Sequence, residues 1–197
     1  MIKQGFSSNK PGRTNPINLI VMTEIQKISE AIRRSKKALT LKPALGRATC
    51  VSKVRIKNGL SCDIQEGEWK FSADMPAMLG GSGSAPTPGV YGRAALGSCL
   101  AIGYMMKAAE MGIAINNLEV EIEADADDGA LLGTADKSIP PGYLEIRYSV
   151  TIESDADEAE IMHMLEEGDA HSPYLDIFTR AQKCIRRVTI NSPKTIS

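Results

Sequence analysis

The chain has 197 residues, of which 43% are hydrophobic and 24% are charged, as in a globular protein with one substantial core. No apolar stretch approaches the roughly 20 residues that span a bilayer, so we expect neither a membrane protein nor a membrane partner. Residues 1–13 are polar and lack a hydrophobic segment before a small-residue cleavage site, which predicts a cytoplasmic location.

The net charge of −1 hides an asymmetry along the chain. Residues 1–50 contain ten Lys or Arg against two Glu, whereas residues 110–170 contain seventeen Asp or Glu against Lys137 and Arg147. The basic half has no interleaved aromatic residues and no motif that reads nucleic acid. We therefore expect a solvated face, or a contact with the acidic half, and no nucleic-acid partner.

The four cysteines are widely spaced and form no CxxC pair, and the chain has only two histidines. This pattern predicts no zinc-type metal site, and no cofactor motif is present. In a reducing cytosol the cysteines are free thiols, and we expect at least three of them to be small buried hydrophobic residues.

The first predicted element is an amphipathic helix that starts at Asn15-Pro16 and ends at Lys42-Pro43. Its apolar stripe at helical spacing consists of Ile17, Val21, Ile25, Ile28, Ile32 and Leu39. Such a helix must bury one face on another element. We divide the chain into an N-terminal extension, residues 1–45, and one domain, residues 46–197.

Alternation then predicts a meander of three strands, at residues 49–56, 61–65 and 69–73, with a hairpin turn at Asn58-Gly59. A long central helix follows over residues 90–111. Two further strands are predicted at residues 118–123 and 143–152, then helices at 155–167 and from Ser172-Pro173, and a closing strand at 185–190. Antiparallel hairpins beside a few long helices predict an α+β fold.

The central helix carries Cys99 in an uncharged run, Ala94 to Met106, which includes several small residues. Small residues allow close approach to a neighbouring backbone, and the missing charges indicate burial on most faces. Upstream lies the loop Leu79-Gly80-Gly81-Ser82-Gly83-Ser84-Ala85-Pro86-Thr87-Pro88. It lacks the Lys of a phosphate-binding loop, so we do not expect phosphate there.

This loop together with Ala94-Ala95-Leu96-Gly97-Ser98-Cys99 resembles the segment of the OsmC/Ohr family that holds the first reactive cysteine. His171-Ser172-Pro173-Tyr174 resembles the segment where the family's second cysteine starts a second long helix. The element order from Arg47 to Ile190 also agrees. The resemblance covers about three quarters of the chain and excludes the N-terminal helix.

The resemblance implies an intertwined homodimer with a site at the subunit interface, where a thiolate cleaves the O–O bond of a peroxide and a second cysteine resolves the sulfenic acid. Carried over, Cys99 is the reactive thiol, while Ser172 occupies the position of the resolving cysteine. Gly89 stands where the family usually has a Glu. The supporting arginine is Arg55 or Arg47.

Cys184 does not replace the resolving cysteine, because twelve residues of helix separate it from Ser172 by about 18 Å. His171 is either a base or thiol partner, or a surface residue that starts a helix. Asp155, Asp157, Glu158 and Glu160 indicate a helix N-terminus rather than a metal site. Met105, Met106 and Met111 fit core or dimer packing, with a lipid-like pocket as the alternative.

Two functions fit the sequence. The first is reduction of organic hydroperoxides by Cys99, supported by His171, Ser172 and an early-strand arginine such as Arg55, with an external thiol as reductant. The second is a homodimer that binds an apolar small molecule or acts as a scaffold, with Cys99 as ordinary packing.

Overall fold

The computed structural model describes residues 16–191, with side chains described from residue 24 onward. It has five α-helices in this part of the chain: α1 (Pro16–Leu41), α2 (Pro88–Met111), α3 (Asp128–Leu132), α4 (Glu158–Ala170) and α5 (Pro173–Thr179). The predicted helix cap Asn15 lies outside the described residues. None of these helices combines the length and apolar character needed to cross a membrane.

The five strands of the described residues form two antiparallel sheets. They are β1 (Lys53–Asn58), β2 (Ser61–Glu66), β3 (Trp69–Ala73), β4 (Asn117–Asp125) and β5 (Glu145–Glu153). The first sheet has the order β1-β2-β3, and the second pairs β4 with β5 in register from Asn117–Glu153 to Asp125–Glu145. The α+β prediction is confirmed.

The predicted strand at residues 185–190 is wrong. The chain has no regular secondary structure over residues 181–191, and Ile185, Val188 and Ile190 are 70%, 66% and 87% exposed. Alternating apolar residues form a strand only where a sheet edge accepts their backbone hydrogen bonds, and no described strand pairs with this segment. Helix α5 also ends after seven residues, so it is shorter than the long helix that the resemblance implies.

Helix α2 is the centre of the core. Leu96, Leu100, Tyr104 and Ala108 recur every fourth residue and are at most 1% exposed. They pack with Met164 of α4 and with apolar side chains from β4 and β5. A Cβ atom added at Gly97 would lie 3.1 Å from Ile122 Cγ1 of β4, so this glycine gives the close approach that the sequence predicted.

The three-stranded sheet projects its apolar side chains into solvent. Val54, Ile56 and Trp69 are 62%, 64% and 71% exposed. The sheet is tied to α2 through Tyr91, whose hydroxyl donates to the Ser72 carbonyl oxygen at 2.6 Å and whose ring lies 5.5 Å from that of Phe71.

Candidate functional site

Cys99 and Ser172 are 73 residues apart in sequence and in contact in space. Cys99 Sγ lies 3.4 Å from Ser172 Oγ. Ser172 is the N-cap of α5, where its Oγ accepts the backbone N–H of Leu175 at 3.3 Å, and it is 5% exposed. Either atom can donate while Cys99 is a thiol, and only the Ser172 hydroxyl can donate once the sulfur is a thiolate.

A cavity of about 520 Å³ lies against this pair. Helix α2 supplies the largest share of the wall, and α1, the end of α4 and the start of α5 supply the rest. The lining residues are Ile32, Lys36, Cys99, Ile102, Gly103, Met106, Lys107, Glu110, Glu167, Gly168, His171, Ser172 and Pro173. The thiol therefore faces a space large enough for a small molecule.

His171 lines the same cavity, at the end of α4. Its Nδ1 lies 2.8 Å from the backbone carbonyl oxygen of Glu167. A carbonyl oxygen only accepts, so Nδ1 carries a proton in this contact, and in the neutral form of the ring Nε2 is then an acceptor. The sequence predicted His171 and Ser172 together, and the structure brings both to the Cys99 cavity.

Asp169 fixes the end of α4 that carries His171. Its carboxylate accepts from the Tyr104 hydroxyl at 2.5 Å and from the Tyr148 hydroxyl at 2.8 Å, which joins α4 to α2 and β5. Burial, followed by the hydrogen bond to Asp169, raises the pKa of Tyr148 to about 12 and also raises that of Tyr104. Both hydroxyls thus remain donors at neutral pH.

Alternating charges line another part of the cavity. Glu110 forms an ion pair with Lys36 of α1 and with Lys107 at 3.4 Å, and Lys107 also pairs with Glu167 at 3.3 Å. Burial raises the pKa of Glu110, but the hydrogen bonds and charges of Lys36 and Lys107 outweigh it and lower that pKa overall. Glu110 is therefore ionised at neutral pH.

Arg55 does not line the Cys99 cavity of its own chain. It is exposed on β1, opposite Asp63 of β2, on a shallow face of the three-stranded sheet. That sheet reaches α2 through the contacts of Tyr91, which belong to the N-terminal part of α2, away from Cys99. Arg47 is likewise exposed and absent from the cavity wall.

Gly89 also lies away from Cys99, because ten residues of helix correspond to about 15 Å. Its carbonyl oxygen accepts from the Tyr143 hydroxyl at 3.0 Å, and Arg93 Nη1 lies 3.4 Å from that hydroxyl. Sequence reasoning missed Arg93 and Tyr143, since no motif marks either of them. Tyr143 and Gly89 line a second, mainly apolar cavity of about 810 Å³.

The glycine-rich loop encloses a carboxylate of the chain itself. Asp74, 1% exposed, accepts from the hydroxyls of Ser82 and Ser84 at 2.6 and 2.8 Å and from their backbone N–H groups at 3.2 and 3.0 Å. The Ser82 hydroxyl, followed by the Ser84 amide and hydroxyl, holds the pKa of Asp74 far below its usual range. The donors that a phosphate would need are already used.

The remaining cysteines differ from the prediction that most are buried. Cys50 and Cys184 are exposed, and Cys62 is half-buried on β2. Cys184 lies beyond the end of α5 in irregular chain, so the helical distance estimate does not apply to it, and it does not line the Cys99 cavity. Within residues 16–191, no group of three or more His, Cys, Asp or Glu is arranged to hold a metal ion.

Comparisons with known proteins agree with this architecture. The family model described as OsmC-like protein matches residues 81–185, which include both Cys99 and Ser172. No curated protein sequence matches the chain.

Two solved structures illustrate the shared fold. An OsmC-like protein from Mycoplasma pneumoniae has a TM-score of 0.58 and 16% identity, over 67% of this chain and 88% of that chain. An organic hydroperoxide resistance protein OsmC from Legionella pneumophila has a TM-score of 0.50 and 20% identity, over 66% and 88%.

Proposed function

Because this chain belongs to the OsmC-like protein family, we propose that it reduces organic hydroperoxides with Cys99 as its nucleophile and an external thiol as its reductant. The contact of Cys99 with Ser172, beside a cavity that also holds His171, is the observation that carries the proposal. The Legionella protein of the same fold is named for organic hydroperoxide resistance, which supports the substrate class.

The first step of the proposed reaction is attack of the Cys99 thiolate on the outer oxygen of the hydroperoxide. The S–O bond forms as the O–O bond breaks, so the sulfur is oxidised to sulfenic acid and the peroxide is reduced to an alkoxide. A proton then converts the alkoxide to the alcohol. We assign this proton transfer to His171, because it lines the same cavity as Cys99 and the Nε2 of its neutral ring is an acceptor.

Ser172 stabilises the thiolate in this proposal and takes no part in resolution. The Ser172 hydroxyl can donate to a thiolate at Cys99, although it forms no disulfide. Resolution thus uses a small-molecule thiol, which condenses with the sulfenic acid to a mixed disulfide and water. A second thiol then releases Cys99 and leaves as the oxidised disulfide.

We further propose that the working unit is a homodimer. The exposed apolar side chains of the three-stranded sheet support this, as do Ile102 and Met106 on α2, which are 61% and 44% exposed. In an intertwined dimer, Arg55 of the partner subunit is the candidate cation for the thiolate, because Arg55 does not line the Cys99 cavity of its own chain.

A second candidate function is binding of an apolar small molecule without redox chemistry. The larger cavity favours it: about 810 Å³, lined by Met75, Leu131, Phe178 and other apolar residues, and without Cys99. The rate of thiol alkylation as a function of pH separates the two functions. An apparent pKa well below the free value of about 8.5 supports the enzyme.

The test of the proposal is hydroperoxide consumption with dithiothreitol as reductant. We expect turnover of cumene hydroperoxide by the wild type and none by Cys99→Ser. Cys62→Ser and Cys184→Ser are matched controls that retain activity. Equal rates for Cys99→Ser and wild type would end the proposal.

A further inference from the structure

Helix α1 forms part of the wall of the Cys99 cavity. Ile32 and Lys36 line it opposite α2, which contributes Ile102 and Met106. The family model matches residues 81–185, so α1 lies outside the matched segment. The space available beside Cys99 thus depends on α1, a helix that is not part of the segment matched by the family model.

An ion pair connects α1 to α2 at this cavity. Lys36 pairs with Glu110, whose second oxygen is held by Lys107. The Lys36 side chain is 62% exposed and that of Glu110 is 22% exposed, so the pair lies where the cavity meets solvent. Both oxygens of the Glu110 carboxylate therefore have a cationic partner, one of which comes from α1.

We propose that α1 is the selectivity wall of the thiol site: Ile32 limits the room beside Cys99, and the Lys36–Glu110 pair holds α1 in place. Where it concerns substrates, this inference rests on the proposed function. The cavity of about 520 Å³ is open to solvent at the Lys36–Glu110 pair, and apolar side chains of α1 and α2 flank it beside Cys99. A cavity of this size admits compact alkyl or aryl hydroperoxides and excludes bulky ones until α1 separates from α2.

The experiment compares how small and bulky thiol reagents reach Cys99 in the full-length protein. The probes are methyl methanethiosulfonate and N-(1-pyrenyl)maleimide, with modification at each cysteine followed by peptide mass spectrometry. Cys50 and Cys184 are exposed and serve as internal references. In the wild type we expect the bulky reagent to be slow at Cys99 alone, relative to the small one.

Lys36→Glu places a second carboxylate beside that of Glu110. The two like charges repel each other and weaken the contact between α1 and α2. We expect the rate at which the bulky reagent labels Cys99 to increase about fivefold, because a fold-change of this size matches the interaction lost when the charge of one partner in a surface ion pair is reversed. The small reagent should react at nearly the same rate as before. Lys37→Glu is the matched control, since Lys37 is exposed and makes no ion pair within the described residues; it should behave as wild type.

Unchanged labelling in Lys36→Glu, or an equal acceleration in Lys37→Glu, overturns the inference. Should circular dichroism show Lys36→Glu to be unfolded, Lys36→Gln replaces it under the same criteria. The readout uses no peroxide, so it is independent of the proposed function. Selective labelling without peroxidase activity supports the role of α1 and contradicts the proposed enzyme. Peroxidase activity without selective labelling supports the proposed enzyme and contradicts the role of α1.

Discussion

The hydroxyl oxygen of Ser172 lies 3.4 Å from the sulfur of Cys99, at the point where the cap of α5 meets the middle of α2. Two thiols at these positions would be close enough to form a disulfide after a small rotamer change. The side chain at residue 172 is therefore in direct contact with the Cys99 sulfur.

Ser172→Cys should create an internal disulfide with Cys99. After one equivalent of alkyl hydroperoxide, we expect non-reducing mass spectrometry to show Cys99 linked to the introduced thiol, because the two side chains already touch. Ser149→Cys, on the exposed surface of β5, is the control and should give no such link. Failure of Ser172→Cys to form the bond would contradict either the oxidation of Cys99 by the peroxide or its contact with residue 172.

Ser172→Ala should affect both stability and the Cys99 thiol. Loss of the helix cap costs about 0.5–2 kcal/mol, and the Cys99 thiolate loses its hydroxyl donor. Ser172→Gly separates the two effects, since glycine at an N-cap costs only a few tenths of a kcal/mol. We expect the rate of Cys99 alkylation at neutral pH to be lower in both variants than in the wild type. A wild-type rate in Ser172→Gly would show that the Ser172 hydroxyl does not stabilise the thiolate.

The free energy of unfolding should depend on pH through the ionisation of Asp74. The pKa of Asp74 in the folded protein lies below its value of about 3.9 in the unfolded chain. The stability that its carboxylate contributes is therefore fully present above about pH 3.9 and is lost as the pH falls through the pKa of the folded protein. Urea unfolding should therefore show the wild type more stable than Asp74→Asn near neutral pH, with a gap that narrows in acid. Asp155→Asn, an exposed control, should track the wild type. A constant gap would contradict the assigned hydrogen bonds.

Gly168 should not tolerate a side chain. An added Cβ would lie 2.4 Å from Tyr104 Cδ1, in a core where overpacking costs about 1–3 kcal/mol. Gly103→Ala is the matched control, because nothing lies within 4 Å of its added Cβ and alanine favours a helix by up to about 1 kcal/mol. The midpoint of thermal unfolding should be higher for Gly103→Ala than for Gly168→Ala. The opposite order would contradict the contact between Gly168 and the ring of Tyr104.

Local patterns predicted the individual elements well. The meander follows from alternation and from Asn58-Gly59, and β3 has the predicted bounds of Trp69 and Ala73. The same rule failed at residues 185–190, because alternation does not say whether a neighbouring strand exists. Burial of the cysteines failed for a related reason: Cys50 and Cys184 lie outside the regular elements, where no core covers them.

The site required information that periodicity does not contain. Nothing local in the sequence joins Cys99 to Ser172, and only the resemblance paired them before the structure did. The role of Asp74 was also hidden, since one acidic residue after a strand gives no sign that two serines will enclose it. The placement of α1 against the thiol cavity depends on how separate elements pack together, which its apolar stripe alone does not specify.

The most direct test of the account is to locate the oxidised sulfur. The wild type is treated with one equivalent of cumene hydroperoxide in the presence of dimedone, and the sulfenic acid adduct is mapped by peptide mass spectrometry. We predict an adduct at Cys99 in excess of those at Cys50 and Cys184, although these two thiols are more exposed. Adducts that follow exposure, with Cys99 unmodified, would contradict the account.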